Sequence, residues 1–255
     1  MLNGNKVILG LDVSTSCIGV TVLMDDGSEY GKILELTHIN PRLSSKVKGM
    51  EQLFLKKKIF DKFIAKFVGF GIDTVVIEEP LLSSNNVNTC AHLLRFNGMI
   101  SDSIYNALGV VPEYISSYDA RKYSFPELMA IRKYNKEGKQ YDFQHIMNSI
   151  NNSKLVLFGG YSWEVDKKII IQGKVADIFP EIQWLYDSDN ELKKENFDAT
   201  DSYVVCLSYM NMQRNGELEF KVSDVKVISE KGKPKKVNYN VHYWDKTVER
   251  TTFID

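Results

Sequence analysis

Four acidic residues at three places in the chain have the type and spacing needed to hold divalent cations. Asp12 lies in the apolar run of residues 7–23, and Glu78 ends a second apolar run, TVVIE. Asp198 and Asp201 open a third, FDATDSYVV. Carboxylates beside otherwise buried segments are costly to desolvate unless a cation pairs with them. Three such sites far apart in sequence therefore predict a shared partner, for which a divalent metal is the natural choice.

The spacing of the last pair places both carboxylates on one face of a helix, in its first turn, where the helix dipole also favours anions. If the strands that end at Asp12 and Glu78 are neighbours, a helix laid across that sheet end completes a cage of four carboxylates. Two Mg²⁺ ions held about 3.5–4 Å apart in such a cage support phosphodiester hydrolysis. The alternative is that Asp198 only caps its helix while Asp12 and Glu78 are solvated strand ends.

The elements that must position these residues follow from apolar periodicity. The first part of the chain predicts strands at residues 6–12, 18–24 and 30–38, a helix at 46–70, a buried strand at 73–78, a helix at 88–108 and a strand at 110–116. The second part predicts helices at 141–150, 167–179 and 197–211, a strand at 154–158 and alternating segments at 218–227 and 237–244. This order indicates a mixed α/β sheet flanked by helices.

Composition restricts the class of protein. The 255 residues are 44% hydrophobic and 25% charged, with a net charge of −1, so a nucleic-acid partner requires local basic patches. Three scattered cysteines without CxxC spacing disfavour disulfides and a zinc site. No apolar run approaches about 18 residues and the start MLNGNK lacks a hydrophobic signal region. We expect a cytoplasmic protein without membrane association.

The segments GLDVSTSCIGVTVL, VVIEEPLL and FDATDSYVV resemble, in order and spacing, the three active-site blocks of the RuvC-type Holliday-junction resolvases, within the ribonuclease H-like superfamily. The resemblance covers roughly residues 5–122 and 164–211. It implies that Asp12, Glu78, Asp198 and Asp201 are catalytic metal ligands for two Mg²⁺ ions, with Mn²⁺ as a substitute. It also implies a homodimer, because the helix at 88–108 forms much of the family's dimer interface.

The resemblance predicts a ribonuclease H-like nuclease domain at residues 1–214, with an insertion at about 125–163, and a β-rich C-terminal extension at 215–255. The greater length resembles the phage-encoded branch of the family, for which the location is the host cytoplasm. Where the family can carry an aromatic wedge at the junction centre, this chain has Leu81 followed by Leu82, an apolar alternative. Glu79 is a second candidate beside Glu78, as a substitute ligand or a neighbour of the site.

Basic residues supply the predicted DNA contacts. The resemblance places Lys122, after Arg121, and Lys168, after Lys167, near the scissile phosphate, where an ammonium stabilises developing charge. Lys233, Lys235 and Lys236 lie near aromatic residues, a mixture typical of nucleic-acid surfaces and equally of a protected edge strand. The helix at 46–70 carries a lysine face, either solvated or tracking phosphates: Lys46, Lys48, Lys56, Lys57, Lys58, Lys62 and Lys66.

The sequence therefore predicts a metal-dependent endonuclease that cleaves four-way junctions, Y-forks and flaps. Three alternatives remain open. The first is a ribonuclease H-like nuclease acting on other nucleic acids. The second is an actin-like or sugar-kinase-like phosphotransferase, since the first block also resembles a phosphate-binding hairpin, although no second glycine-rich loop is found. The third is a non-catalytic DNA-binding protein, which would be expected to have lost a carboxylate.

Overall fold

The computed structural model describes residues 5–80, 87–161, 163–193 and 196–254. They form two compact units, each built from two segments of the chain. The first unit comprises Met1–Ala120 and Ile171–Met210, and the second comprises Arg121–Ile170 and Asn211–Asp255. The predicted boundary at residue 214 stays a prediction, but the structure places the predicted insertion and the C-terminal segment in one unit.

A five-stranded sheet forms the centre of the first unit. Its strands are β1 (Lys6–Val13), β2 (Ile18–Asp25), β3 (Lys32–Ile39), β4 (Thr74–Glu78) and β5 (Glu113–Ile115). They lie in the order β3-β2-β1-β4-β5, with β2 antiparallel to both neighbours and β4 parallel to β1 and β5. This is the mixed sheet that the ribonuclease H-like resemblance implies, and the predicted fold class is confirmed.

Helices lie on both faces of that sheet: α1 (Gly49–Ile64) and α2 (Val87–Leu108) pack on one face, and α6 (Phe197–Asn215) lies on the other. Two further helices are α3 (Ser117–Ser124) and α5 (Lys167–Ile178), and α3, α5 and α6 each continue into the second unit. Because side chains alternate along a strand, Leu9 and Leu11 of β1 join α1 and α2 in one apolar core, while Gly10 between them faces α6. The helix predicted at 46–70 ends at Ile64 and continues as a 3₁₀ segment, Ala65–Phe70.

The second unit combines a short ribbon, one helix and a three-stranded sheet. The ribbon pairs β6 (Met129–Ile131) with β7 (Leu155–Leu157), and α4 (Phe143–Asn151) lies between them in sequence. The sheet contains β8 (Lys221–Glu230), β9 (Lys233–Tyr243) and β10 (Lys246–Phe253) in the order β10-β9-β8. A β-rich C-terminal segment was predicted, but β10 and α3 were not.

None of the helices in the described ranges is both long enough and apolar enough to span a bilayer.

Candidate active site at the end of the central sheet

Two glycines allow α6 to lie directly on the sheet. A Cβ on Gly19 of β2 would lie 1.8 Å from the backbone oxygen of Asp198, and one on Gly10 of β1 would lie 2.5 Å from the backbone oxygen of Ser202. Any side chain at either position would therefore push the helix away. These glycines belong to the first sequence block, but no local sequence pattern predicts that each one faces this helix.

Buried polar contacts fix the rotation of α6. The Ser202 hydroxyl donates to the Ala199 carbonyl at 2.7 Å and lies 2.7 Å from the Thr21 hydroxyl of β2, with both side chains fully buried. One turn later the Cys206 thiol contacts the carbonyl oxygens of Ile8 and Thr21 at 3.6 and 3.5 Å. Residues 198, 202 and 206 therefore face the sheet at helical spacing.

Asp12 and Asp198 meet at this end of the sheet. Asp12 is the cross-strand partner of Gly19, and Gly19 is in contact with the backbone of Asp198. The buried Cys17 thiol lies near both carboxylates: burial first, then Asp198, then the charge of Asp12 raise the pKa of that thiol. A neutral thiol thus lies beside two predicted ligands, a placement that the sequence did not suggest.

Glu78 reaches the same edge from the neighbouring strand. The parallel register pairs Leu11 with Ile77, so Asp12 and Glu78 are the next residues on adjacent strands. Glu78 is half-buried, whereas Glu79 is exposed and uses its backbone N–H for the Ile115 carbonyl at 2.8 Å. Successive side chains of a strand point to opposite faces, so this placement favours Glu78 over Glu79 as the ligand.

Asp201 lies one turn beyond Asp198 and directly before Ser202 on α6, with 4% of its surface exposed. A carboxylate this buried is costly to keep charged without compensation. The four predicted ligands thus lie on β1, β4 and the start of α6, which are the two strands and the helix that the sequence predicts for them. Their roles as ligands stay predictions.

The donor chemistry suits Mg²⁺, because carboxylate oxygens are the ligands that this hard cation prefers. As the side chains stand, however, no three Asp, Glu, His or Cys residues of the described ranges converge into a group that could hold a metal ion. The structure therefore presents the donors at one edge without a closed coordination shell.

A buried lysine holds the turn that follows Asp12. Lys56 of α1 is 9% exposed, and its ammonium donates a hydrogen bond to the Thr15 carbonyl. Burial lowers the pKa of Lys56. Lys57 pairs with Asp61 at 3.1 Å and Asp102 at 3.4 Å. The predicted lysine face is wrong at Lys56, whose side chain packs inward against the turn that contains Thr15.

The predicted basic DNA contacts all lie in the second unit. The Lys122 ammonium lies 5.3 Å from the centre of the Tyr123 ring and 6.0 Å from that of Phe220. Burial first, and then the charges of Arg121 and Arg132, lower the pKa of Lys167. The others lie at the start of α5 or on β9: Lys168, Lys233, Lys235 and Lys236. Leu81 and Leu82, the predicted wedge, fall outside the described residues.

Comparisons with known proteins give structural similarity alone. No family model matches the chain, and no curated protein matches it. Among solved structures, the chain is similar to Thermus thermophilus RuvC in complex with a Holliday junction substrate, with 12% identity, a TM-score of 0.48 and coverage of 83% of this chain and 96% of that one.

Two further structures are similar at lower scores. The yeast mitochondrial Holliday junction resolvase Ydc2 has 12% identity and a TM-score of 0.43, covering 82% of this chain and 79% of that one. An Aquifex aeolicus Ppx/GppA phosphatase has 9% identity and a TM-score of 0.37, covering 82% and 92%. The assignment of a ribonuclease H-like fold rests on the strand order and directions of the first unit itself.

Proposed function

We propose that the protein is a metal-dependent, structure-selective endonuclease that cleaves Holliday junctions and other branched DNA. The observation that carries the proposal is the meeting of Asp12 and Asp198 around Cys17, with Glu78 next in register, at one end of a ribonuclease H-like sheet. Three elements distant in sequence contribute to this edge, as phosphodiester hydrolysis by a carboxylate-held metal pair requires.

Electrostatics supports the metal requirement. A group of carboxylates repels the phosphate backbone that a nuclease must approach, and the repulsion is strongest where water is excluded. Bound divalent cations reverse the sign of this field, activate water and stabilise the leaving oxygen. Asp12, Glu78, Asp198 and Asp201 would hold those ions.

The substrate class favours a symmetric dimer. A four-way junction has near two-fold symmetry, so paired incisions require two active sites related by a two-fold axis. The sequence assigned the dimer interface to α2. Phe96, Ile100 and Ile104 of that helix are fully buried in the protomer's own core, whereas Leu94 and Tyr105 are 45% and 54% exposed. We therefore restrict the proposed interface to the face that carries these two residues.

The test compares matched carboxylate variants on labelled DNA. Asp12→Asn and Glu78→Gln remove charge while keeping shape. They should lower single-turnover cleavage of a four-way junction by more than about 100-fold, because even the outer partners of a metal ligand contribute about 10- to 100-fold. Glu79→Gln, on an exposed side chain of the same strand end, is the control and should cleave nearly as wild type.

Metal binding is measured separately from cleavage. Mg²⁺ or Mn²⁺ should raise the melting temperature of the wild-type protein but not that of Asp12→Asn, because only the folded site binds the ion. Undiminished cleavage in EDTA, or in Asp12→Asn, would refute the site. Equal cleavage of a linear duplex, a Y-fork and a junction would refute structure selectivity. A monomer by light scattering, with cleavage intact, would refute the dimer.

A further inference from the structure

The second unit carries a row of planar side chains that the proposed chemistry does not use. The Arg132 guanidinium lies 3.8 Å from the centre of the Tyr161 ring and donates a hydrogen bond to the Tyr161 hydroxyl at 2.8 Å. The Trp163 ring is nearly parallel to Tyr161, at 10° and 6.3 Å between centroids, and Tyr134 lies 6.2 Å from Trp163. We call Arg132, Tyr134, Tyr161 and Trp163 the aromatic row.

The backbone around the row is built to hold it in place. Tyr134 pairs with Gln140 across a tight turn, whose Asn135 side chain accepts from the N–H groups of Glu137 and Lys139. Gly138 in that turn has a φ of +78°, and a Cβ there would lie 3.5 Å from the Trp163 indole. The turn thus packs against Trp163, yet 55% of the Trp163 surface stays exposed. A large aromatic surface that is both supported and exposed is typical of a binding surface.

Cations are concentrated beside the row. Burial, then the charges of Arg121 and Arg132, lower the pKa of Lys167, so both guanidinium groups act on that ammonium. Like charges repel one another, and a polyanion that binds between them relieves the repulsion. Arg132 belongs both to this group and to the aromatic row, where it lies over Tyr161, and it therefore links the cations to the rings.

We propose that the aromatic row and its neighbouring cations bind a single-stranded segment of DNA, with an unpaired base stacked on Trp163 and phosphates held by Arg121, Arg132 and Lys167. Aromatic rings flanked by cations bind single strands in this way, because every base has a flat face and every nucleotide has one phosphate. The inference deepens the proposed function: it names unpaired bases, present at forks and at opened junction centres, as the feature that the second unit recognises.

The alternative partner is an acidic protein segment, which the cations alone would attract. Binding of an acidic segment would not require parallel rings with an exposed face, whereas the stacking of bases does. Arg132 adds a second distinction, because its guanidinium, 3.8 Å from the centre of the Tyr161 ring, supplies a planar group beside the rings that lysine could not reproduce.

The experiment uses the full chain, metal-free, with a fluorescein-labelled oligothymidylate and a duplex of the same length. Trp163→Ala should weaken single-strand binding by about 5- to 100-fold, the range for loss of one stacked base, and should weaken duplex binding little. Trp163→Phe keeps an aromatic ring at this position and therefore controls for a loss of affinity caused by misfolding; it should keep most of the affinity. Phe253→Ala removes an aromatic residue of β10 that is 59% exposed, and it serves as the control that should bind as wild type.

Two further measurements separate stacking from charge. Arg132→Lys should weaken single-strand binding while leaving its salt dependence intact, whereas Lys167→Ala should lower the salt slope by about one. Unchanged single-strand affinity in folded Trp163→Ala, or equal losses on single strand and duplex, overturns the inference. Preference for a poly-glutamate peptide over oligothymidylate also overturns it. Because binding is measured without metal, a wild-type protein that cleaves no DNA refutes the proposed function and leaves this result standing.

Discussion

The contact between Gly19 and α6 gives the sharpest test of the site's architecture. Gly19→Ala adds one methyl group whose carbon would lie 1.8 Å from the Asp198 carbonyl oxygen and 2.4 Å from its carbonyl carbon. Side-chain carbons essentially never approach another atom closer than 3.0 Å, so the helix start must move by about 1.2 Å or the strand must bend. The atoms that must move belong to backbone, which cannot swing aside as a flexible side chain can.

Two effects of different size follow. Forcing an extra methyl group into a packed interior costs about 1–3 kcal/mol and occasionally more, so the free energy of unfolding should fall by at least that amount. The displacement acts on Asp198 itself, and a misplacement of about 1 Å can cost about 100-fold in rate. We therefore expect junction cleavage by the folded variant to fall about 100-fold, well beyond the loss explained by the unfolded fraction.

Urea unfolding gives the free energy, and single-turnover cleavage under conditions where the variant remains folded gives the rate. Gly10→Ala is the first comparison. Its Cβ would contact Ser202 and Cys206 at 2.5 Å, so it should destabilise α6 but move Asp198 less. Gly173→Ala is the second, because an added Cβ within helix α5 meets no atom within 4 Å. It should gain about 0.5–1 kcal/mol from helix propensity and cleave normally.

If Gly19→Ala unfolds with the wild-type free energy and cleaves at the wild-type rate, α6 does not lie against Gly19 and this architecture of the site is refuted. A variant that is destabilised but cleaves normally once folded would show that the position of Asp198 is unimportant for the chemistry.

Two further predictions concern the same helix. Ser202→Ala should lower the free energy of unfolding by about 1–3 kcal/mol, because it leaves the buried Thr21 hydroxyl without its acceptor. Thr21→Val should lower it by only about 0.5–1.5 kcal/mol. Urea unfolding of the two single variants and the double variant measures the coupling between these side chains. Burial raises the pKa of the Cys206 thiol, and the Cys17 thiol is likewise buried, whereas Cys90 is half-buried. Cys90 should therefore react first with a thiol reagent in the native protein, and all three cysteines should react in denaturant. Rapid labelling of Cys206 in the native protein would contradict its burial between α6 and the sheet.

Much of the first unit could be predicted from sequence because its signals are local. Alternating and fully apolar runs predict β1, β2 and β4, and the spacing of Asp198 and Asp201 predicts the helix that carries them. The preference for Glu78 over Glu79 agrees with the observed strand faces. The roles of these carboxylates stay predictions, because ligation depends on side-chain convergence rather than on spacing.

What could not be predicted depends on contacts between distant segments. From the sequence, Gly19 cannot be distinguished from any other glycine in a strand, because the contact that requires it is made by Asp198, far along the chain. From the sequence, Lys56 is expected to be exposed like the other lysines of its helix, but in the structure its ammonium donates a hydrogen bond to the Thr15 carbonyl in the turn after Asp12. The aromatic row joins Arg132 to Tyr161 across a separation of 29 residues, and no periodicity reports such a contact.

The division of each unit into two chain segments has a consequence for protein synthesis. The buried cluster of the second unit joins Ile131, Ile146 and Ile150 to Val237, Tyr239 and Val241, so the earlier segment cannot bury its apolar side chains until the later one has left the ribosome. The 40 residues from Ile171 to Met210 lie between the two segments. At about 5–20 residues per second, their translation takes roughly 2–8 s.

During that interval Ile146 and Ile150 on α4 are exposed, and the sheet of the first unit still lacks α6. A nascent chain stalled at this point presents unpaired strand edges and apolar surface, the features that chaperones bind and that lead to aggregation. A chain shortened after Gly216 would keep that exposure permanently, because β9 supplies Val237, Tyr239 and Val241. The last strands therefore complete a core begun about a hundred residues earlier, and a chain that lacks them would be bound by chaperones or degraded by proteases.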